Sequence, residues 1–103
     1  MTGDALGVPA SCPYALTQVT LGSAPGGVWV DAVLMCEGQP VARIVQHGDG
    51  GPDAIRPLAP ATWADVHTYE TYARTWGAPY GIVHEPSNAL TAALLERWAA
   101  TRG

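Results

Sequence analysis

The hydrophobic pattern of the chain changes character near its middle. In the first half, β-branched and aromatic residues fill short segments separated by glycine- and proline-rich stretches, a pattern typical of strands joined by turns. It predicts strands at 14–21, 28–36 and 39–46, with one further short extended segment at 54–58. In the second half, hydrophobic residues recur every three or four positions, which indicates helices.

Two turns are predicted between the strands. Residues 22–27 are rich in glycine and predict a flexible hairpin loop, whereas Glu37-Gly38 predicts a two-residue turn in which glycine takes a positive φ. Because side chains alternate between the faces of a strand, the segment 28–36 presents two different faces. The face predicted to lie in the core holds Val28, Val30, Ala32, Leu34 and Cys36, and the opposite face holds Trp29, Asp31, Val33 and Met35.

The first helix is predicted around the spaced residues Trp63, Val66, Glu70, Ala73 and Trp76. Thr62 and Asp65 match a capping pair at its start, and Gly77–Gly81 ends it, because glycine and proline interrupt helices. A second helix begins near Ser87 or Asn88 and ends near Arg102. Strands followed by helices predict an α+β fold, with a three- to four-stranded antiparallel sheet in the N-terminal half packed by two C-terminal helices. We expect a single domain over 14–103, preceded by a flexible arm over 1–13.

Composition narrows the possible locations and partners. The 103 residues suffice for one core, and no apolar run or N-terminal signal pattern points to a membrane, so we expect a cytoplasmic protein. The net charge is −4, there is no lysine, and the five arginines form no cluster, which argues against binding a nucleic-acid polymer. A small anionic ligand remains compatible, because it needs only one local pocket. Cys12 and Cys36 match neither a disulfide framework nor a zinc motif, so we expect two reduced thiols.

The most informative segment is the strand 39–46, which leads directly into Gly48, Asp49, Gly50 and Gly51. Small residues allow successive backbone N–H groups to converge on a phosphate, since no side chain obstructs the approach. The alternative explanation is structural: the glycines provide the positive φ values that the backbone needs between a strand and a bend. The segment matches neither the Walker motif nor the dinucleotide-binding fingerprint, which favours the structural interpretation for an isolated loop of this kind.

This segment resembles a motif found in small phage-encoded proteins of uncharacterised function, a Gly-x-x-Val hairpin followed by a loop like Asn-Asp-Gly-x-Gly-Gly. The matching residues are 38–41 and 46–51, and the resemblance covers roughly 28–58. The chain departs from the motif at His47, where Asp is usual, and at Pro52-Asp53-Ala54. The resemblance implies a phage or prophage origin and an accessory role such as counter-defence in the host-cell cytoplasm.

Within that role, a protein that sequesters a nucleotide immune signal without cleaving it fits the residues. It needs backbone donors, cations and an aromatic plane for the base. The candidates are the loop residues His47, Gly48, Asp49, Gly50 and Gly51, the cations Arg43 and Arg56, and the rings of Tyr14, Trp29 and Tyr80. Each candidate also has a purely structural explanation, as a surface arginine, a packing ring or a turn residue.

Two other classes of function are weighed beside this hypothesis. An enzyme could use His47 with Asp49, or His67 with His84, but these spacings match no catalytic or metal-binding motif, so we predict no catalysis, no metal and no cofactor. A protein-binding inhibitor or interaction module could instead use the apolar face of Trp29, Val33 and Met35, or the helix aromatics Trp63, Tyr69, Tyr72 and Trp76. Under either binding hypothesis we expect a homodimer or higher homo-oligomer, because a small domain with two partly apolar sheet faces leaves hydrophobic surface uncovered.

Overall fold

The computed structural model describes residues 8–25, 27–47 and 54–101. Four strands form one antiparallel sheet in which each strand pairs with the next along the chain. They are β1 (Tyr14–Ala24), β2 (Gly27–Cys36), β3 (Gln39–Gln46) and β4 (Ala54–Pro57). The strands β1 and β4 therefore form the two edges of the sheet.

Two helices follow the sheet, which confirms the predicted α+β fold. They are α1 (Trp63–Gly77) and α2 (Pro86–Thr101), separated by a short 3-10 turn at Ala78–Tyr80. The predicted cap is present, since the Thr62 side chain accepts from the Ala64 N–H and the Asp65 carboxylate accepts from the Thr62 N–H. No helix in the described part of the chain is long and apolar enough to cross a membrane.

The core lies between the helices and one face of the sheet, here termed the inner face. Its buried side chains come from three of the strands and from both helices. They are Tyr14 and Leu16 of β1, Val30, Ala32 and Leu34 of β2, Ala42 and Ile44 of β3, Val66, Tyr69, Ala73 and Trp76 of α1, and Leu90 and Leu94 of α2. The Tyr69 and Thr91 hydroxyls are hydrogen-bonded at 2.7 Å inside this core and join the two helices.

Two bulges interrupt the regular pairing of the strands. In β1 the register shifts between Thr17 and Thr20, and Gln18 lies there with a φ of 51°. In β3 the register shifts next to Pro40, so that Leu34 pairs with Ala42 whereas Met35 pairs with Pro40. The second shift turns Ala42 and Ile44 toward the core and the intervening Arg43 away from it.

The prediction of a flexible loop over residues 22–27 is wrong. The strands stay paired up to Ala24 and Gly27, leaving only residues 25–26 between them. The physical reason is the pairing of Gly22 with Trp29, whose ring lies where a side chain at position 22 would be. Glycine loses strand stability for lack of a side chain, and a cross-strand aromatic ring restores the missing contact.

The segment before β1 is partly docked on the domain. Residues 1–7 of the predicted arm lie outside the described residues, but Val8 and Cys12 pack against the core cluster. The Glu37 N–H donates a hydrogen bond of 2.8 Å to the Pro13 carbonyl, which extends the pairing of β1 and β2 by one residue.

Candidate functional site

The helices cover only one side of the sheet, and the other side, here termed the outer face, holds the candidate site. Its side chains alternate with those of the core along each strand. They include Trp29, Asp31, Val33 and Met35 from β2, Arg43 and Val45 from β3, Arg56 from β4, and Thr17 and Thr20 from β1, the register partners of Val33 and Asp31. The outer face therefore combines apolar side chains with three charged groups.

The centre of the outer face is an ion pair between Asp31 and Arg43. The Arg43 Nε donates to Asp31 Oδ1 at 2.9 Å, and the Arg43 Nη2 donates to Asp31 Oδ2, so the contact is bidentate. These hydrogen bonds lower the pKa of the Asp31 carboxyl and raise the pKa of the Arg43 guanidinium. Both groups are therefore charged over the physiological pH range, and Asp31 holds Arg43 in one orientation.

A second arginine lies directly opposite the first. Arg43 and Arg56 are register partners on β3 and β4, so both side chains leave the sheet from the same face. Like charges in opposing positions of an antiparallel pair destabilise it. Asp31 balances one of the two charges, and Arg56 makes no side-chain hydrogen bond or ion pair with any other described residue. The outer face therefore carries one positive charge and a set of guanidinium donors without a described protein partner.

Trp29 lies on the same face, toward the end of β2 at which β3 finishes. It is half-buried, because its ring packs across Gly22 on the neighbouring strand. Val30 pairs with Gln46, so Trp29 is level with His47, the exposed residue that follows β3. The structure thus brings Trp29, Arg43 and Arg56 to one surface, with His47 at its end.

Two of the predicted stacking rings are not on this surface. Tyr14 is 4 % exposed and lies in the core, where its ring contacts Tyr69 and Tyr72 edge-on with centroid distances of 4.8 and 5.3 Å. Tyr80 follows α1 on the helical side and packs against Trp76 at 5.7 Å. The prediction that Tyr14 offers a free ring is wrong, because its neighbours enclose it, and Tyr80 is separated from the arginines by the sheet.

The predicted glycine-rich loop residues Gly48, Asp49, Gly50 and Gly51 lie outside the described residues. In the sequence they stand between β3 and β4.

The residues considered for catalysis are dispersed. The His84 Nε2 lies 3.2 Å from the Glu85 carboxylate, but both side chains are on the surface and not in a cleft. His67 is exposed on α1. Burial raises the pKa of the Cys36 thiol, which disfavours the nucleophilic thiolate. Among residues 8–25, 27–47 and 54–101, no three His, Cys, Asp or Glu side chains lie close enough to share a metal ion.

A cleft of about 240 Å³ lies on the other side of the molecule, between β1 and the last turns of α2. It is lined by Ala15, Leu16, Leu94, Arg97, Trp98 and Thr101. The cleft contains none of the residues predicted from the sequence to bind a ligand. Its lining shows that residues 15–16 of β1 lie beside the last turns of α2.

Comparison of the chain with models of protein families, with curated proteins and with solved structures found no match.

The sequence reasoning missed the role of Asp31. Asp31 and Arg43 belong to neighbouring predicted strands, but a hairpin closed by Glu37-Gly38 without a bulge would place Arg43 opposite Ala32, on the inner face. The one-residue shift next to Pro40 moves Arg43 onto the face of Asp31. A proline early in a strand is a signal for such a bulge, because it cannot donate to the ladder.

Proposed function

We propose that the protein is a non-enzymatic binding protein that holds a small anionic nucleotide on its outer face. The observation that carries the proposal is the pairing of Arg43 with Arg56 on adjacent strands, with a single carboxylate, Asp31, beside them. Two opposing arginines lower the stability of a sheet unless an anion lies between or beside them. Because Asp31 forms its ion pair with Arg43, Arg56 is left to pair with the ligand.

Phosphate is the anion that best fits a free guanidinium, because its oxygens accept two parallel N–H hydrogen bonds. The Nε and Nη2 atoms of Arg43 both donate to Asp31, which fixes the guanidinium. The other N–H groups of Arg43 therefore point in a fixed direction. In this proposal Arg56 binds the phosphate, and Arg43 adds charge at a fixed position. When no ligand is bound, the Asp31 carboxylate offsets the repulsion between Arg43 and Arg56.

Trp29 supplies the plane for a base. Stacking of a base on an aromatic ring contributes about 1–3 kcal/mol and tolerates different bases. Because Trp29 is level with His47, it lies four residues from Arg43 along the strand direction, about 13 Å at the usual rise of a strand. A ligand that reaches both is longer than one nucleotide, which favours a dinucleotide or a cyclic oligonucleotide.

The sequence over residues 28–58 carries the similarity to phage-encoded proteins described above. Its resemblance to phage-encoded proteins supports a role in counter-defence, in which the protein sequesters a nucleotide immune signal and returns it unchanged. No described group combines a histidine, a carboxylate and a cleft, and the proposal therefore assigns binding without conversion.

The test is thermal stability of the purified protein with a panel of cyclic dinucleotides, cyclic oligonucleotides and cyclic ADP-ribose isomers. A ligand at a hundredfold over its dissociation constant adds about 2.7 kcal/mol, which raises the melting temperature by several degrees. Heating the complex should release the ligand intact. Recovery of a converted ligand would instead establish an enzyme.

The matched variants are Arg56→Ala and Arg74→Ala. Both remove an exposed arginine, but Arg74 lies on α1, on the helical side of the sheet. Arg56→Ala should weaken binding at least about tenfold, because a hydrogen bond to a charged group is lost, and Arg74→Ala should bind as the wild type does. No shift with any ligand, or equal shifts for both variants, contradicts the proposal.

A second candidate function is binding of a host protein by the same face. It is favoured by four half-buried apolar side chains that no described element covers, namely Trp29, Val33, Met35 and Val45. Aromatic residues and methionine are enriched at the centres of protein interfaces. In that case a host protein should copurify in fixed stoichiometry, Val33→Lys should abolish the association, and Arg56→Ala should leave it intact.

A further inference from the structure

We propose that two copies of the chain associate through the free edges of β1, antiparallel to each other about a two-fold axis that passes beside Leu21. The two sheets then form one continuous sheet of eight strands, four from each copy. The interface runs along the edge of β1, where Gly22 lies under the Trp29 ring, and the association does not depend on the proposed function.

The two edges of the sheet differ in a way that points to β1. The strand β4 has four residues and carries Arg56 and Pro57, and a short edge strand with a charge and a proline resists pairing with another chain. The strand β1 has eleven residues, with the sequence YALTQVTLGSA, and contains neither a charged residue nor a proline. Only β4 therefore carries side chains that protect an edge.

The bulge divides β1 into two parts with different surroundings. Before the bulge, Ala15 and Leu16 line the cleft beside α2, so the helix flanks that part of the edge. After the bulge, β1 continues from Val19 to Ala24. This second part is the section available to a new strand.

Beyond the bulge, the sheet also leaves apolar surface uncovered on its inner face. Leu21 pairs with Val30, and Val30 is buried under the helix layer, yet Leu21 itself is 50 % exposed. Val28, the partner of Ser23 on the same face, is 59 % exposed. Exposed leucine and valine next to an unpaired strand edge are the features that an added strand would cover.

A second copy of the chain is the occupant that these features favour. Antiparallel pairing of a strand with itself is self-complementary about a two-fold axis, and here it places Leu21 opposite Leu21, Thr20 opposite Gly22 and Val19 opposite Ser23. The strand has no charge, so the copies bring no like charges together there although each chain carries −4. An uncharged edge also offers nothing to select an acidic or basic foreign segment.

The first test measures mass in solution by sedimentation equilibrium over a range of protein concentrations. The wild type should approach twice the 10.7 kDa mass of one chain. Leu21→Lys should remain monomeric at the same concentrations, because two opposed lysines repel each other at the axis. The matched control Val83→Lys changes a residue that is 91 % exposed and lies outside the strands, and it should dimerise as the wild type does.

The second test places the axis by cross-linking, in a background in which Cys12 and Cys36 are replaced by serine. Leu21→Cys should form a disulfide-linked dimer with oxidised glutathione, since directly opposed Cβ atoms lie about 4.5–5.5 Å apart. Ser23→Cys should not, because its own copy lies four residues away along the strand, about 13 Å. A monomer at every concentration, or a link through Ser23→Cys but not Leu21→Cys, overturns the proposal. Nucleotide binding by a monomer would leave the proposed function intact.

Discussion

Replacement of Tyr14 by phenylalanine should remove a loss of stability that the wild-type protein undergoes as the pH rises above 10. Tyr14 is enclosed by the core, and this burial, together with the nearby Cys36, Cys12 and Asp65, raises the pKa of its hydroxyl from 10.0 to about 12. Between these two values the unfolded chain loses the phenolic proton while the folded chain keeps it. The free energy of unfolding therefore falls as the pH rises from 10 to 12, and it is unaffected by this group below pH 10.

The size of the effect follows from the two pKa values. From about pH 10 to pH 11, Tyr14 loses its proton in the unfolded chain but keeps it in the folded protein. This difference over roughly one pH unit lowers the free energy of unfolding by about 1.4 kcal/mol. Phenylalanine has no proton to lose, so this loss should be absent in Tyr14→Phe. Near neutral pH, Tyr14→Phe should lower the free energy of unfolding by about 0.5–1.5 kcal/mol, because the ring contacts remain and only the hydroxyl is removed.

Urea unfolding of wild type and Tyr14→Phe at a series of pH values from about 8 to 11 measures both quantities. The two stability curves should converge as the pH rises, and near-ultraviolet absorbance should show one fewer late-ionising phenol in the variant. Parallel curves up to pH 11 would show that Tyr14 ionises in the folded protein as it does in the unfolded chain. That result would refute the assignment of the pKa shift to burial.

Three further substitutions, at two places in the fold, test the packing described above. Gly22→Ala should displace the Trp29 ring, destabilise the protein by roughly 1–3 kcal/mol and shift tryptophan emission to the red, and an unchanged emission spectrum would contradict the contact. Tyr69→Phe and Thr91→Val should each cost about 1–2 kcal/mol in urea unfolding, because each removes the buried hydrogen bond between the two hydroxyls, and the double variant should cost about 1 kcal/mol less than the sum. Strict additivity would mean that the two hydroxyls do not interact in the folded protein.

Much of the fold could be predicted because local signals and tertiary packing agree. The strand predicted at 39–46 matches β3 in both bounds, and Thr62 with Asp65 marks the start of α1. The extent of β1 could not be predicted, because glycine near its end disfavours a strand locally. That preference is overridden by Trp29, a residue that reaches Gly22 only after the hairpin has formed.

The candidate site was predictable in its residue types but not in its arrangement. The sequence identifies arginines and aromatic rings near the glycine-rich segment. The face of the sheet on which each side chain lies depends on the position of a β-bulge, because a bulge shifts the alternation of side chains along the strand. One extra residue near Pro40 brings Arg43 to Asp31, and the packing of α1 on the inner face draws Tyr14 into the core. Neither the bulge nor the choice of covered face is encoded within a short window of sequence.

The alternation of side chains along β2 has a consequence for how this protein can change over generations. Val30, Ala32 and Leu34 are buried in the core, whereas the alternating Val33 and Met35 lie on the outer face. Mutations at Val33 and Met35 therefore change the outer surface of the sheet at little cost in stability, whereas mutations at the buried positions destabilise the fold. The surface chemistry of the outer face can in this way change from one descendant to the next while the fold stays the same.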